Sequence, residues 1–206
     1  KGYVDAAKMD LEEGRTEEAR GFLDVATRNV DRLMALVYDL LELATLESGA
    51  EVKKSLVSPQ EVTEATVRML EGRHRGRHRL RVECSVERLL ADPRRIEQVL
   101  TNLIDNAMKY SPEDSEIRIV WEPGQGANSG DTVLRVRDSG PGISDEHLPR
   151  LFERFYRVDA GRAREVGGTG LGLAIVKHIV LSHGGSIAVR SKIGEGSEFL
   201  CRFPNK

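Results

Sequence analysis

Residues 185–203 read GSIAVRSKIGEGSEFLCRF. Apolar side chains alternate with polar ones in two runs, and Gly194-Glu195-Gly196 separates them. Alternation at period two predicts strands with one buried face, and the glycine-rich link predicts a hairpin between them. Strands are therefore expected at 185–191 and 197–203. Strands joined so closely run antiparallel, so the sheet is mixed or antiparallel rather than doubly wound and parallel.

Before this hairpin, helices are expected at 59–71, 92–109 and 170–183, and strands at 79–86, 115–121 and 132–138. The pattern predicts an α+β fold, a two-layer α/β sandwich with a mixed sheet and helices on one face. Residues 49–58 (GAEVKKSLVS) read as a linker and leading strand, and no internal repeat occurs. Residues 1–48 are helical throughout, with Gly14 in a polar turn (EEGRTEE) between two helices. The second helix carries Leu23, Ala26, Val30, Leu33, Val37, Leu40 and Ala44, an apolar seam stepping by three and four residues. Phe22, Leu36 and Leu43 widen it. Such a hairpin either packs on the larger part of its own chain or pairs with a second copy as a four-helix bundle, and the seam's length favours the homodimer.

Composition narrows the classes. The 206 residues are 39% hydrophobic and 31% charged, which fits neither a membrane-embedded nor a disordered chain. Thirty-one Lys and Arg against 33 Asp and Glu remove the bulk electrostatic argument for nucleic acid, and 5% aromatic content weakens a base-stacking surface. The basic run GRHRGRHRLR (72–81) reads as a solvated loop. Cys84 and Cys201 lie in strand-like runs and read as buried reduced thiols; His74 and His78 are separated by Gly76 and do not read as a metal pair. No apolar run approaches the ~20 residues of a bilayer span, and no signal peptide is present. The first residues, KGYVDAAKMD, lack Met and read as the interior of a helix, hence as part of a longer protein.

Three constellations carry chemistry. In QVLTNLIDNAMKY (98–110), Gln98, Asn106 and Lys109 fall within about 40° of Asn102 on a helix, while Ile96, Leu100, Leu103, Ile104 and Ala107 face the other way. Amides one turn apart offer carbonyl oxygens to a hard cation without adding charge beside a phosphate, and Lys109 adds a point charge. In RVRDSGPGIS (135–144) a strand delivers Asp138 into a glycine turn, where a carboxylate can accept from an exocyclic amine; alone, the segment also reads as an Asp-Ser-Gly turn. In VGGTGLGLAIVKHIV (166–180), Gly167, Gly168, Gly170 and Gly172 precede or open an apolar helix, combining a phosphate-binding helix start with a mobile lid over RVDAGRAREVGG. This is neither a Rossmann fingerprint nor a P-loop.

The order NLIDNAMKY, DSGPGI, FERFYR, GGTGLGL resembles the N, G1, F and G2 boxes of the sensor histidine kinases, within the ATPase superfamily shared with gyrase, Hsp90 and MutL. RNVDRLMALVYDLLELATLESG resembles their dimerisation and histidine-phosphotransfer hairpin. The resemblance implies a Bergerat-type ATP-binding fold at 59–206 behind a truncated hairpin at 1–48, with ATP and Mg2+ as cofactors. It implies Asn106 as the magnesium ligand, with Asn102 assisting at the metal or phosphates. Lys109 would contact phosphate, Tyr110 would line the adenine pocket, and Asp138 would bind the adenine amino group. Gly140 and Gly142 would make room for the base. Arg157 would reach the γ-phosphate, and Gly168, Thr169, Gly170, Leu171 and Gly172 would shape the lid and hold phosphate oxygens. Arg154 reads as a salt-bridged surface residue. Implied partners are a second copy of the chain and the receiver domain of a response regulator, with no nucleic acid. The implied location is cytoplasmic, on a protein anchored in the bacterial inner membrane. The family's acceptor histidine lies in a box upstream of Lys1, and none of the five histidines replaces it. Asn at 102, where gyrase-like ATPases place a water-activating glutamate, argues against that branch. Ser139 and Ser197 are conservative departures from the boxes.

Overall fold

The computed structural model describes residues 2–49, 52–74, 78–125, 130–158 and 168–205. The helices are α1 (Gly2–Glu12), α2 (Thr16–Glu47), α3 (Pro59–His74), α4 (Pro93–Tyr110) and α5 (Gly172–Ser182). The strands are β1 (Ser55–Val57), β2 (Arg79–Cys84), β3 (Leu89–Ala91), β4 (Glu116–Pro123), β5 (Asp131–Arg137), β6 (Ser186–Lys192) and β7 (Gly196–Pro204). Five strands form one sheet in the order β2-β4-β5-β7-β6; β2 runs parallel to β4 and every other pairing is antiparallel. The hairpin at the end of the chain is thus present and the sheet is mixed. Strand β1 falls within the stretch read as linker and leading strand; its partner β3 was not expected, because three residues are too few for alternation to be legible.

The sheet has one dry face. Ile117, Ile119, Trp121, Leu134, Val136, Phe199, Cys201 and Phe203 point into a common core with α3, α4 and α5, while their strand neighbours are half-buried or exposed. Trp121 satisfies its indole N–H on Thr63 Oγ1 at 2.9 Å. Burial pushes the Cys201 thiol pKa up, and both cysteines are free thiols. Cys84 is half-buried rather than buried, its Sγ 3.2 Å from the Val86 carbonyl. No helix among the described residues is long and apolar enough to cross a membrane.

Helix α4 is set by its ends. Asp92 Oδ1 accepts from the N–H groups of Arg94 and Arg95 at 3.0 and 3.3 Å, with Pro93 in the first turn. Pro112 stops it after Ser111, because the residue before a proline is driven to extended backbone. Its core face is Ile96, Val99, Leu100, Leu103, Ile104, Ala107 and Met108, all buried. A second fixture is His183, which ends α5. Its Nδ1–H donates to the Ile179 carbonyl at 2.8 Å and its Nε2 accepts the Asp92 N–H at 3.1 Å, so the neutral ring ties the end of α5 to the start of α4.

The hairpin turns at Gly14, whose φ is +74°, in the left-handed region that glycine adopts freely. Helix α2 then serves two surfaces. Leu43 and Leu46 are buried in the same core as α4 and α5, and Leu36 packs against it. Leu23, Val30, Leu33, Val37 and Leu40 of the seam are exposed instead. Helix α2 therefore docks on its own chain, as one of the two sequence readings held, and leaves an apolar seam exposed.

Candidate functional site

The amide strip of α4 lies where the sequence put it. Gln98, Asn102, Asn106 and Lys109 are half-buried along one side of the helix. Neither Asn102 nor Asn106 has a side-chain hydrogen-bond partner among the described residues. Half-buried, both carboxamides keep hydrogen-bonding capacity for an incoming group. Lys109 pairs with Asp105 at 2.5 Å, one turn back on the same helix.

Two close approaches join α4 to the start of α5 and to the turn after Asp138. A Cβ at Gly172 would stand 2.9 Å from Asn102 Oδ1, which places the first residue of α5 against the amide strip. Leu171 makes no side-chain cap to α5, so the first-turn N–H groups of that helix lack a side-chain acceptor from their own N-cap. At the other end of the strip, a Cβ at Gly140 would meet the Tyr110 carbonyl at 3.0 Å. From Asn102 to Tyr110 is about 12 Å of helix, a span that a nucleoside triphosphate can bridge. Tyr110 itself is half exposed.

Asp138 sits just past β5 and is 7% exposed. Its Oδ1 accepts from Gly140 N–H at 2.8 Å and Ser197 N–H at 3.2 Å, which leaves Oδ2 without a partner among the described residues. Burial raises its pKa, opposed by those two N–H groups and by Arg137. The arrangement fixes one carboxylate oxygen and offers the other. Ser111, which follows Tyr110, carries a buried hydroxyl without a partner among the described residues.

The glycines have a packing reason that differs from the expected clearance for a base. A Cβ at Gly142 would lie 2.0 Å from the Lys192 carbonyl oxygen, so Gly142 lets the loop after Asp138 rest on the β6–β7 hairpin. Gly196 plays the same part from the other side, 2.1 Å from the Asp138 carbonyl oxygen by the same measure. Sequence reasoning missed Gly196 as a site residue because it reads as turn chemistry, and Ser197 because it reads as the first residue of a strand. Ser191 was missed too: its Oγ accepts from Ile143 N–H and donates to the Gly196 carbonyl, both at 2.8 Å.

The FERFYR segment meets the glycine segment directly. Phe155 N–H donates to the Gly170 carbonyl at 2.9 Å, and both residues have positive φ. Arg157 donates to the Gly168 carbonyl. Arg154 pairs with Glu47 at the end of α2, a salt-bridged surface residue as expected. Thr169 Oγ1 accepts from Leu171 N–H at 3.2 Å and donates to Asp39 Oδ2 at 2.5 Å, a tie to α2 that nothing in the sequence signalled. Gly167 and the lid residues 159–167 lie outside the described residues, as do 75–77 of the basic run. Among the described residues no cluster of three or more His, Cys, Asp or Glu could hold a metal, so a cation here would rely on amide oxygens.

The two-layer sandwich thus gathers unpaired amides on one helix, a buried carboxylate past a strand and a glycine-opened helix against the amides. Residues 91–206 match the family described as histidine kinase-, DNA gyrase B-, and HSP90-like ATPase. The chain belongs to that family, on its sensor histidine kinase side. It is 36% identical over 209 residues to the phosphate regulon sensor protein PhoR of Pseudomonas aeruginosa, covering 98% of this chain and 45% of that protein. It is 48% identical over 113 residues to the sensor protein SrrB of Staphylococcus aureus, covering 55% of this chain and 19% of that protein. The chain thus spans half or less of the length of these relatives. Among solved structures, the Acinetobacter baumannii histidine kinase AdeS matches with a TM-score of 0.74 at 27% identity, covering 98% of this chain and 93% of that one. Full-length ShkA in complex with AMPPNP matches with a TM-score of 0.75 at 27% identity, covering 92% of this chain and 40% of that one.

Proposed function

We propose that the chain is the kinase part of a two-component sensor. It binds ATP with Mg2+ and hands the γ-phosphoryl group to a histidine on the dimerisation helix of the whole protein, from which it passes to an aspartate of a response regulator. In this reading residues 1–48 form the dimerisation hairpin, 49–58 the link and 59–206 the ATP-binding domain. The whole protein is anchored in the membrane with this part on the cytoplasmic side.

The observation that carries the reading is the pair of unpartnered carboxamides, Asn102 and Asn106, with Gly172 packed against the first. The donor set fits a magnesium ion that is otherwise held by water and phosphate: neutral oxygens, with one neighbouring carboxylate, Asp105, already paired to Lys109. Asn106 would hold the metal and Asn102 would orient beside it; bound there, the ion would neutralise charge on the transferring phosphate. Asp138 Oδ2 accepts the adenine amine, Tyr110 and Gly140 border the base, and Gly142 holds that loop in place. Lys109 and Arg157 contribute charge, each after leaving its present partner. Gly168 to Gly172 supply backbone N–H groups to phosphate oxygens. The exposed seam of α2 supports a homodimer.

The test is transfer of labelled phosphate from ATP to a second protein that carries the acceptor helix. Acid-labile, base-stable label supports the kinase. Tight ATP binding with no transfer to any such helix would instead make the pocket a nucleotide-sensing switch.

A further inference from the structure

Helix α2 grips the ATP-binding lobe through Leu36, Asp39, Leu43 and Leu46, spaced three, four and three residues apart on one face. Three of the four are apolar contacts with the core. Around them, His178 Nε2–H donates to the Leu46 carbonyl at 2.9 Å, one of the end carbonyls that α2 cannot satisfy itself, and Arg95 pairs with Glu42. Asp39 is the exception in the stripe. It has no cationic partner among the described residues, and its Oδ2 takes the hydroxyl of Thr169.

We propose that Asp39 is a built-in competitor of the nucleotide's phosphates. Its carboxylate holds the Gly168–Leu171 loop on α2, and ATP must take that loop away from it. The proposal rests on the nucleotide reading above. Proton count and charge set the competition. A threonine hydroxyl has one proton to donate, so Thr169 cannot serve Asp39 and a phosphate oxygen together. The same hydroxyl accepts from Leu171 N–H, so releasing it also loosens the residue that opens α5. An uncompensated carboxylate beside the loop also repels a polyphosphate, more strongly at low salt than at high. Docking of α2 and occupancy of the site are therefore antagonistic, each weakening the other by the same factor.

The test uses the full chain, with ATP and magnesium as the probe, titrated by calorimetry at low and high salt. Asp39→Asn keeps an acceptor for Thr169 and removes the charge. It is expected to bind ATP about threefold more tightly at low salt, with the gap closing at high salt. Asp39→Ala removes both charge and acceptor. It is expected to bind about tenfold more tightly, and in the nucleotide-free protein the amides of residues 168–171 should exchange faster with solvent. Wild-type or weaker ATP affinity in both variants overturns the proposal. If the wild-type chain itself binds no ATP, the nucleotide reading fails separately. Hydrogen exchange then decides the contact, and unchanged exchange at 168–171 in Asp39→Ala removes it as well.

Discussion

Asn102 Oδ1 stands 2.9 Å from the point that a Cβ on Gly172 would occupy, so two residues seventy positions apart share one van der Waals boundary. The obstacle is the tip of a side chain that can swing away. Alanine at the start of a helix is also no worse than glycine for the backbone. Gly172→Ala is therefore expected to leave the melting temperature within about 3 °C of wild type while weakening ATP binding about tenfold. Thermal melts paired with calorimetry check both halves. A normal affinity would remove Asn102 from the site.

Gly142 and Gly196 differ in kind. Each has positive φ, and each would drive a Cβ into a main-chain carbonyl at about 2 Å. Gly142→Ala and Gly196→Ala should each cost about 2–4 kcal/mol, because the strain falls on backbone that cannot rotate aside. Urea unfolding should show midpoints well below that of Gly172→Ala.

Asp138→Asn should weaken ATP binding at least tenfold, because an amide facing the Gly140 and Ser197 N–H groups can keep only its oxygen there and turns its NH2 toward the adenine amine. Asn106→Asp should weaken magnesium-free nucleotide binding further than magnesium-bound binding, since a carboxylate beside phosphate needs a cation between. Titrations with and without magnesium separate the two roles. Equal wild-type affinities in both variants would refute the assignment of the pocket.

Burial holds the His183 pKa below its ordinary value, with the Ile179 carbonyl pulling the other way. The unfolded chain takes up the proton near pH 6.5, and the folded chain resists it to lower pH. Stability is therefore full above about pH 6.5 and is lost progressively as pH falls toward the folded value. His183→Gln can still donate and accept but cannot titrate. The difference in unfolding midpoint between the two proteins should shift in favour of the variant between pH 7.5 and 5.5, about the range over which histidine titrates.

Val37 and Leu40 lie in the uncovered seam of α2, away from the docked stripe. Val37→Glu with Leu40→Glu should shift sedimentation toward monomer without lowering the lobe's melting transition. A dimer of unchanged strength would move the interface elsewhere.

Much of this was legible in advance where a pattern repeats. The β6–β7 hairpin announced itself by alternation around Gly194-Glu195-Gly196, and α4 by an apolar face set opposite an amide-bearing one. What was hidden depends on which segments touch. Gly142 looked like room for a base because its neighbour in space, Lys192, is fifty residues away. Asp39 looked like an ordinary polar position on a helix because Thr169 belongs to another element. Strand β3 gave no signal because three residues cannot show a period.

On α2 the docked stripe and the seam are offset by a single residue, which on a helix is about 100° of azimuth. The shaft therefore has two keyed flats roughly a quarter turn apart. Were a second copy to hold one flat fixed, turning the shaft would shear the other, and the lobe riding on that flat would be carried with it like a cam follower. Torque alone, with no change of length, would reach the Gly168–Leu171 loop through Asp39 and Thr169.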